Sequence, residues 1–334
     1  MNTSEENIVS GNYCAHIYEH CNRQAEFYEK LLIGATYGLE SGYLSGKDVK
    51  PELVADIENS LQSYKALSTL VVASQKFLLP ENGKLLDIKK YNEQYSDLLH
   101  IPFHSIALEI TITDYPKNIE GHTTNKAVLF AWTKESVINA EKNDKEHFPL
   151  ILEDDSAIHF TQIFFHTGLN DWQVCPAYAA FIPSKINVLE GKEKRIENIV
   201  GDANFMATYR QHPEEELKGM IKEMVQTGFN TLLQFCLTVN CENISKGVIE
   251  PNEKQNKKRI RNGKIPFFSY NYLKLTNEKG EYADKGGTHA SPRAHVRRGH
   301  LRRLPTGKTT WVRHSYIGDA ALGAVDKAYV LQGK

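Results

Sequence analysis

From His212 to Asn243 the chain carries one continuous apolar stripe, and a stripe of that kind has to be covered. Leu217, Met220, Ile221, Met224, Val225, Phe229, Leu232, Leu233 and Cys236 recur at three- and four-residue spacing, which puts them on one side of an α-helix. Pro213 suits the first turn, and Glu214, Glu215 and Glu216 complement the positive end of the helix dipole. A helix this long with one wet face needs a second layer beneath it, and here that layer is a sheet. Gly228 inside the stripe marks a close crossing or a bend, at a cost of ~1 kcal/mol relative to Ala.

The sheet is legible upstream. Ile106, Leu108, Ile110 and Ile112 alternate with polar positions, and Ala127 to Trp132, His159 to His166 and Val174 to Ile182 are further apolar segments divided by loop residues. Connections this short and irregular predict mostly antiparallel pairing. Glu109 lies opposite the Ile106, Leu108 and Ile110 face and is expected in solvent. No glycine-rich phosphate loop opens a helix after any of these strands, which argues against dinucleotide and P-loop folds. Residues 1 to about 80 read as helical scaffold. Gln24 to Leu32 is rich in helix formers, and from Pro51 to Leu78 the residues Leu53, Ile57, Leu61, Tyr64 and Leu67 keep helical spacing until Pro80, Asn82 and Gly83 end it.

With 334 residues, 41% of them apolar, the chain can bury a substantial core. Its longest apolar runs fall far short of the ~18 residues that suggest a membrane span, and MNTSEENIVSGNY lacks the basic start and apolar centre of a signal peptide. The cytoplasm is the expected compartment. Five cysteines, with no CxxC pair, fit a reducing environment. Cys14 and Cys21 share a helical face as buried packing thiols; with His16 and His20 they match no zinc spacing, so neither metal nor cofactor is expected. His100 and His104 flank a proline. His159 and His166, seven apart on a strand, point to opposite faces. Each reads as structural or exposed rather than catalytic.

Net charge conceals the main asymmetry. The whole chain carries 40 basic and 41 acidic residues, but from Pro251 onward 18 Lys or Arg face 6 Asp or Glu, giving +12 against −13 for the rest. The unevenness peaks in KGGTHASPRAHVRRGHLRRLPTGKTTWVRH, Lys285 to His314, with eight Lys or Arg, four His and no acid. Such a half invites a polyanion, although the acidic body could equally cradle it. Asn252 to Lys264 reads as a linker or exposed basic loop. The aromatic strand from Phe267 to Leu275 follows it, with Tyr270 and Tyr272 on one side, able to stack bases or to floor a small barrel.

If the motif is extended, Arg293, His295 and Arg297 share one face and Arg298, His300 and Arg302 the other, with Gly299 allowing a bulge. Arginine forks suit phosphate, and a near-neutral histidine can act as general acid or base. The nucleic-acid-binding candidates are Arg293, Arg297, Arg298, Arg302, Arg303, Lys308 and Arg313, with Tyr270 and Tyr272. The catalytic candidates, under a ribonuclease reading, are His295, His300 and Arg298.

The run THASPRAHVRRGHLRRLPTGKTTWVRHSYIGD, followed by Gly323 and DKAYVL, resembles the C-terminal signature of uncharacterised phage- and prophage-encoded proteins. In that group SPRxHxRRGHxRR leads through a Gly-Lys turn into a Trp-Val strand. The resemblance is close over roughly the last 80 residues. It implies phage ancestry and action in a bacterial cytoplasm, and names no activity.

The expected architecture is α+β: a helical N-terminal layer, a mostly antiparallel sheet, a long amphipathic helix and a small basic β module at the C-terminus. Residues 1–250 form the acidic body and 251–334 the basic module. The leading function is an accessory protein that binds nucleic acid, RNA more than DNA, or another polyanion. The alternatives are a metal-independent ribonuclease, or an inhibitor that occludes an acidic host defence protein. No membrane partner is expected.

Overall fold

The computed structural model describes residues 10–40, 51–86, 93–113, 124–135, 154–175, 177–185, 195–199, 213–275, 293–297, 300–312, 315–317 and 319–324. Two helices, α1 (Tyr13–Glu40) and α2 (Pro51–Ala73), lead into β1 (Gln75–Leu78). Then come β2 (Ser105–Thr111), β3 (Thr124–Thr133), β4 (Ile158–His166), β5 (Asp171–Val174), β6 (Ala177–Phe181) and β7 (Arg195–Ile199). The apolar stripe forms α3 (Glu214–Val239), followed by β8 (Ile244–Ile249), α4 (Glu253–Arg261) and β9 (Tyr270–Leu275). The basic segment supplies β10 (Arg293–Arg297), β11 (His300–Arg303), β12 (Thr309–Val312), β13 (Ser315–Ile317) and β14 (Asp319–Ala324).

Nine of these strands make one sheet in the order β7-β6-β4-β3-β2-β1-β9-β8, with β5 added on β4. Pairing is antiparallel except at β1, which runs parallel to both β2 and β9. The fold is α+β, as the change of hydrophobic period predicts. Sequence pattern extends the second helix to Leu78, whereas the helix stops at Ala73 and Gln75–Leu78 is a strand. Four residues carry too little periodicity to separate the two forms. Here Phe77, fully buried, fills the centre of the sheet, and the Lys76 ammonium is satisfied by the carbonyls of Val72 and Ser74.

Both faces of the sheet are covered. On one, α1 and α2 pack over Ala107, Val128, Phe130, Trp132 and Ile163. On the other, α3 packs over Ile106, Leu108, Leu129, Phe160 and Phe181. This explains why Glu109 is fully buried rather than in solvent, as its position on β2 suggests: the face opposite Ile106, Leu108 and Ile110 is roofed by α1. Gly228 sits where α3 crosses the sheet. A Cβ there would lie 3.2 Å from Leu129 Cδ1 and 3.3 Å from Gln162 Oε1, while Gln162 Nε2 donates to the Met224 carbonyl at 2.7 Å. The glycine serves the close crossing, not a bend.

Asn252 to Lys264 is not a loop. It forms α4, a surface helix with no buried residue. Beyond it, β9 lies between β1 and β8 in the main sheet, and Asn12 clamps Phe268 through both backbone groups, at 2.9 and 3.0 Å. The remaining C-terminal strands form a sheet ordered β13-β10-β14 and a hairpin, β11-β12. Among the described residues no helix is long and apolar enough to cross a membrane.

Candidate functional site

Within the basic segment β11 and β12 pair as a two-stranded hairpin. Its turn is closed by Leu304 N–H to the Lys308 carbonyl (2.7 Å) and Gly307 N–H to the Leu304 carbonyl (2.9 Å). Gly307 adopts φ +82°, a conformation that favours glycine. The register sets Leu301 against Trp311 and Arg303 against Thr309, so those four share one face; His300, Arg302, Thr310 and Val312 share the other.

The first face is seated on the body. Leu301 is buried in the same cluster as α3, and its carbonyl accepts from the Tyr95 hydroxyl at 3.3 Å. Arg303 donates to both oxygens of Asp97, at 2.7 and 3.3 Å, and to the Gly307 carbonyl, with its guanidinium 5.6 Å from the Tyr95 ring centre. That hydrogen bond holds the Asp97 carboxyl below its ordinary range. Lys308 reaches Glu242 at 2.6 Å. Glu242 N–H donates to the Thr309 carbonyl, and the Asn243 side chain mimics a strand, donating to the Trp311 carbonyl and accepting its N–H, both at 2.8 Å. Replacing Asn243 by Ala should cost about 1–3 kcal/mol, because two part-buried backbone groups lose their partner. Faster amide exchange at Trp311 is the check.

Beside this seat, a cleft of about 440 Å³ opens between Gln75, Pro102, Phe103, His104, Thr133 and Glu135. Its rim holds an exposed polar contact, His104 Nδ1 to Glu135 Oε2 at 3.1 Å. Phe103 carries the Lys246 ammonium 4.4 Å from its ring centre. Since Lys246 lies on β8 just after Glu242 and Asn243, the same short segment holds the hairpin and reaches the cleft.

The candidate residues are thus divided. Arg293, His295 and Arg297 take alternate positions of β10, between β13 and β14, with His295 opposite Ile317. His300 and Arg302 belong to β11 in a different sheet, so the segment is not one extended strand. Arg298 and Arg313 lie outside the described residues. Arg302 is exposed on the outward face of the hairpin. Arg303 and Lys308 direct their charge at Asp97 and Glu242 instead. Tyr270 cannot stack a base: it is 1% exposed, its hydroxyl is hydrogen-bonded to Glu109 and to the Cys14 N–H, and burial pushes that hydroxyl far above the phenol range. The Tyr272 ring lies against Gly247, where an added Cβ would come within 2.4 Å of it, and so is half-covered by β8.

Sequence reasoning missed Tyr95, Asp97, Glu242 and Asn243. Nothing local marks them, since Asp97 meets Arg303 across 206 positions. Cys14 and Cys21 are buried core thiols, as their shared helical face predicts.

No curated protein and no solved structure matches the chain. A family model described as AcrVA2-like, anti-CRISPR type V subtype A2, matches residues 84–316, a stretch that begins ahead of β2 and takes in α3, α4 and the whole hairpin. Because that stretch is more than two thirds of its length, the chain belongs to the AcrVA2-like family of anti-CRISPR proteins.

Proposed function

We propose that this chain is a phage accessory protein that works in the bacterial cytoplasm and inhibits a type V CRISPR defence by binding one of that system's proteins. The observation that carries the reading is the family match over residues 84–316. The resemblance of the C-terminal signature to phage and prophage proteins points the same way. The hairpin suits a protein contact better than a nucleic-acid grip: its inner cations answer Asp97 and Glu242, leaving a mixed outer face of His300, Arg302, Thr310 and Val312. The half-covered Tyr272 and the buried Tyr270 also weaken the reading in which the strand Tyr270–Leu275 stacks bases.

The test is interference by a type V system against a targeted phage, in cells with and without the chain. Plating should rise by orders of magnitude when the chain is made, and Arg302→Glu should reduce that rescue while leaving thermal stability unchanged. Full interference in the presence of folded, abundant protein would sink the reading.

A further inference from the structure

The α4 helix poses a physical question. Nine residues are too few to be helical in water on their own, and α4 buries nothing apolar, yet it is fixed at every point. Its N-terminus is capped by Asn252, whose side chain accepts from Lys254 N–H (2.9 Å) and Gln255 N–H (3.2 Å). Its C-terminus closes with Lys264 N–H to the Arg259 carbonyl and Gly263 N–H to the Ile260 carbonyl, with Gly263 at φ +68°.

One side is clamped by polar groups. Asn256 donates to the Phe267 carbonyl (3.1 Å) and accepts Phe267 N–H (2.7 Å). Arg259 donates to the Ile265 carbonyl (2.8 Å), lies 4.0 Å from the centre of the Phe267 ring and pairs with Glu19 of α1. Lys264 reaches the same Glu19 at 3.6 Å.

At about 100° per residue, Asn252, Asn256 and Arg259 fall together, and Lys254, Lys257, Lys258 and Arg261 fall within an arc of about 100° on the opposite side. All four cations are exposed. Among the described residues the only acid within reach of them is Glu253, 3.8 Å from Lys257. The clamps therefore hold rigidly a face whose sole content is positive charge.

We propose that this face of α4 docks on the phosphate backbone of duplex DNA. The inference goes beyond the anti-CRISPR reading and does not depend on it. The eight residues from Lys254 to Arg261 rise about 10 Å along the helix, comparable to the axial rise of about three base pairs of duplex DNA at 3.4 Å each. Laid along the mouth of the ~12 Å major groove of B-DNA, a helix 10–12 Å across brings these side chains to the phosphates on the groove's edges, whereas the deep, narrow groove of A-form RNA admits no helix. The face carries no aromatic ring on which an unpaired base could stack; its one apolar neighbour is Ile260, on the flank. The binding is positional rather than sequence-reading, since ammonium and guanidinium groups at these sites meet phosphate oxygens.

The experiment is fluorescence anisotropy of the full chain with labelled duplex DNA, duplex RNA and single-stranded DNA across a salt series. Duplex DNA should bind most tightly, with a slope of log K against log salt of about −3 to −4. The variant K254Q/K257Q/K258Q/R261Q should flatten that slope by about three and weaken low-salt binding ~100-fold, with an unchanged circular dichroism melt. Lys222→Gln on the exposed side of α3 should leave both unchanged. The proposal is overturned by no binding at low salt, by a fourfold variant that binds like the wild type, or by equal or tighter binding of RNA or single strands. Because the assay contains no CRISPR component, these outcomes are separable from those of the interference test.

Discussion

Replacing Glu109 by Ala is expected to cost about 4–5 kcal/mol, since four buried or part-buried donors lose their acceptor and each orphaned group costs at least about 1 kcal/mol. The carboxylate sits on β2 but works for α1. It accepts from Tyr13 N–H at 2.8 Å and Ser10 Oγ at 2.9 Å, and also from Gly11 N–H and the Tyr270 hydroxyl. The first turn of α1 contains no acid of its own, so the unpaired N–H groups that begin every helix are answered from a strand 96 residues away. Urea denaturation is the measurement. Ser10→Ala, which removes one donor and leaves the carboxylate in place, should cost only about 1 kcal/mol. Equal stability of wild type and Glu109→Ala would show that α1 does not rely on this contact.

The same residue gives a pH dependence with a definite sign. Burial raises the Glu109 carboxyl above its ordinary value, and the surrounding donors only partly offset that. A folded value above the unfolded one means that between the two the native state holds the proton more tightly. Stability contributed by this group is therefore fully present below the unfolded value and declines as pH rises through the folded value. Glu109→Gln should lack that decline.

Why Glu109 looked exposed in the sequence, and is not, shows where pattern stops. Alternation along SIALEIT correctly separates Ile106, Leu108 and Ile110 from the other face, but alternation cannot say whether that other face is wet. It is covered because α1 and α2 lie over it, and of the two only α2 was legible by its apolar spacing, α1 showing only helix formers over Gln24 to Leu32. The α3 helix was readable to within two residues at its start and four at its end, because nine apolar positions and a proline start agree. The β1 strand was not, being four residues joined directly to a helix. The basic loop that proved to be α4 was obscured for a related reason. Its helicity rests on Asn252, Asn256 and Arg259, polar clamps to residues 265, 267 and 19, while hydrophobic spacing detects only apolar clamps. At the hairpin, the sequence located the charge of Arg303 and Lys308 and left open whether an outside polyanion or the acidic body would answer it. Asp97 and Glu242 decide that for these two residues.

Phe229→Ala is the second large effect, with an expected loss of about 3–5 kcal/mol. Phe229 is fully buried midway along α3, next to Gly228 and its tight contact with Leu129 and Gln162. Its ring lies 5.1 Å from that of Phe181 at 84°, an edge-on contact, and 6.2 Å from that of Phe160. Such pairs contribute about 0.5–1.5 kcal/mol each beyond area. The close crossing also limits collapse: with Gly228 already against Leu129 and Gln162, the helix cannot sink further into the cavity. Phe229→Leu, which refills most of that volume, should therefore cost much less than Ala. The consequence reaches the C-terminal hairpin, because Leu301 of β11 belongs to the same buried cluster as Phe229. If that cluster unfolds as one unit, amide exchange in β11 and in α3 should accelerate by the same factor in Phe229→Ala. Acceleration in α3 alone would mean that the hairpin is held by Asp97, Glu242 and Asn243 rather than by its share of the core.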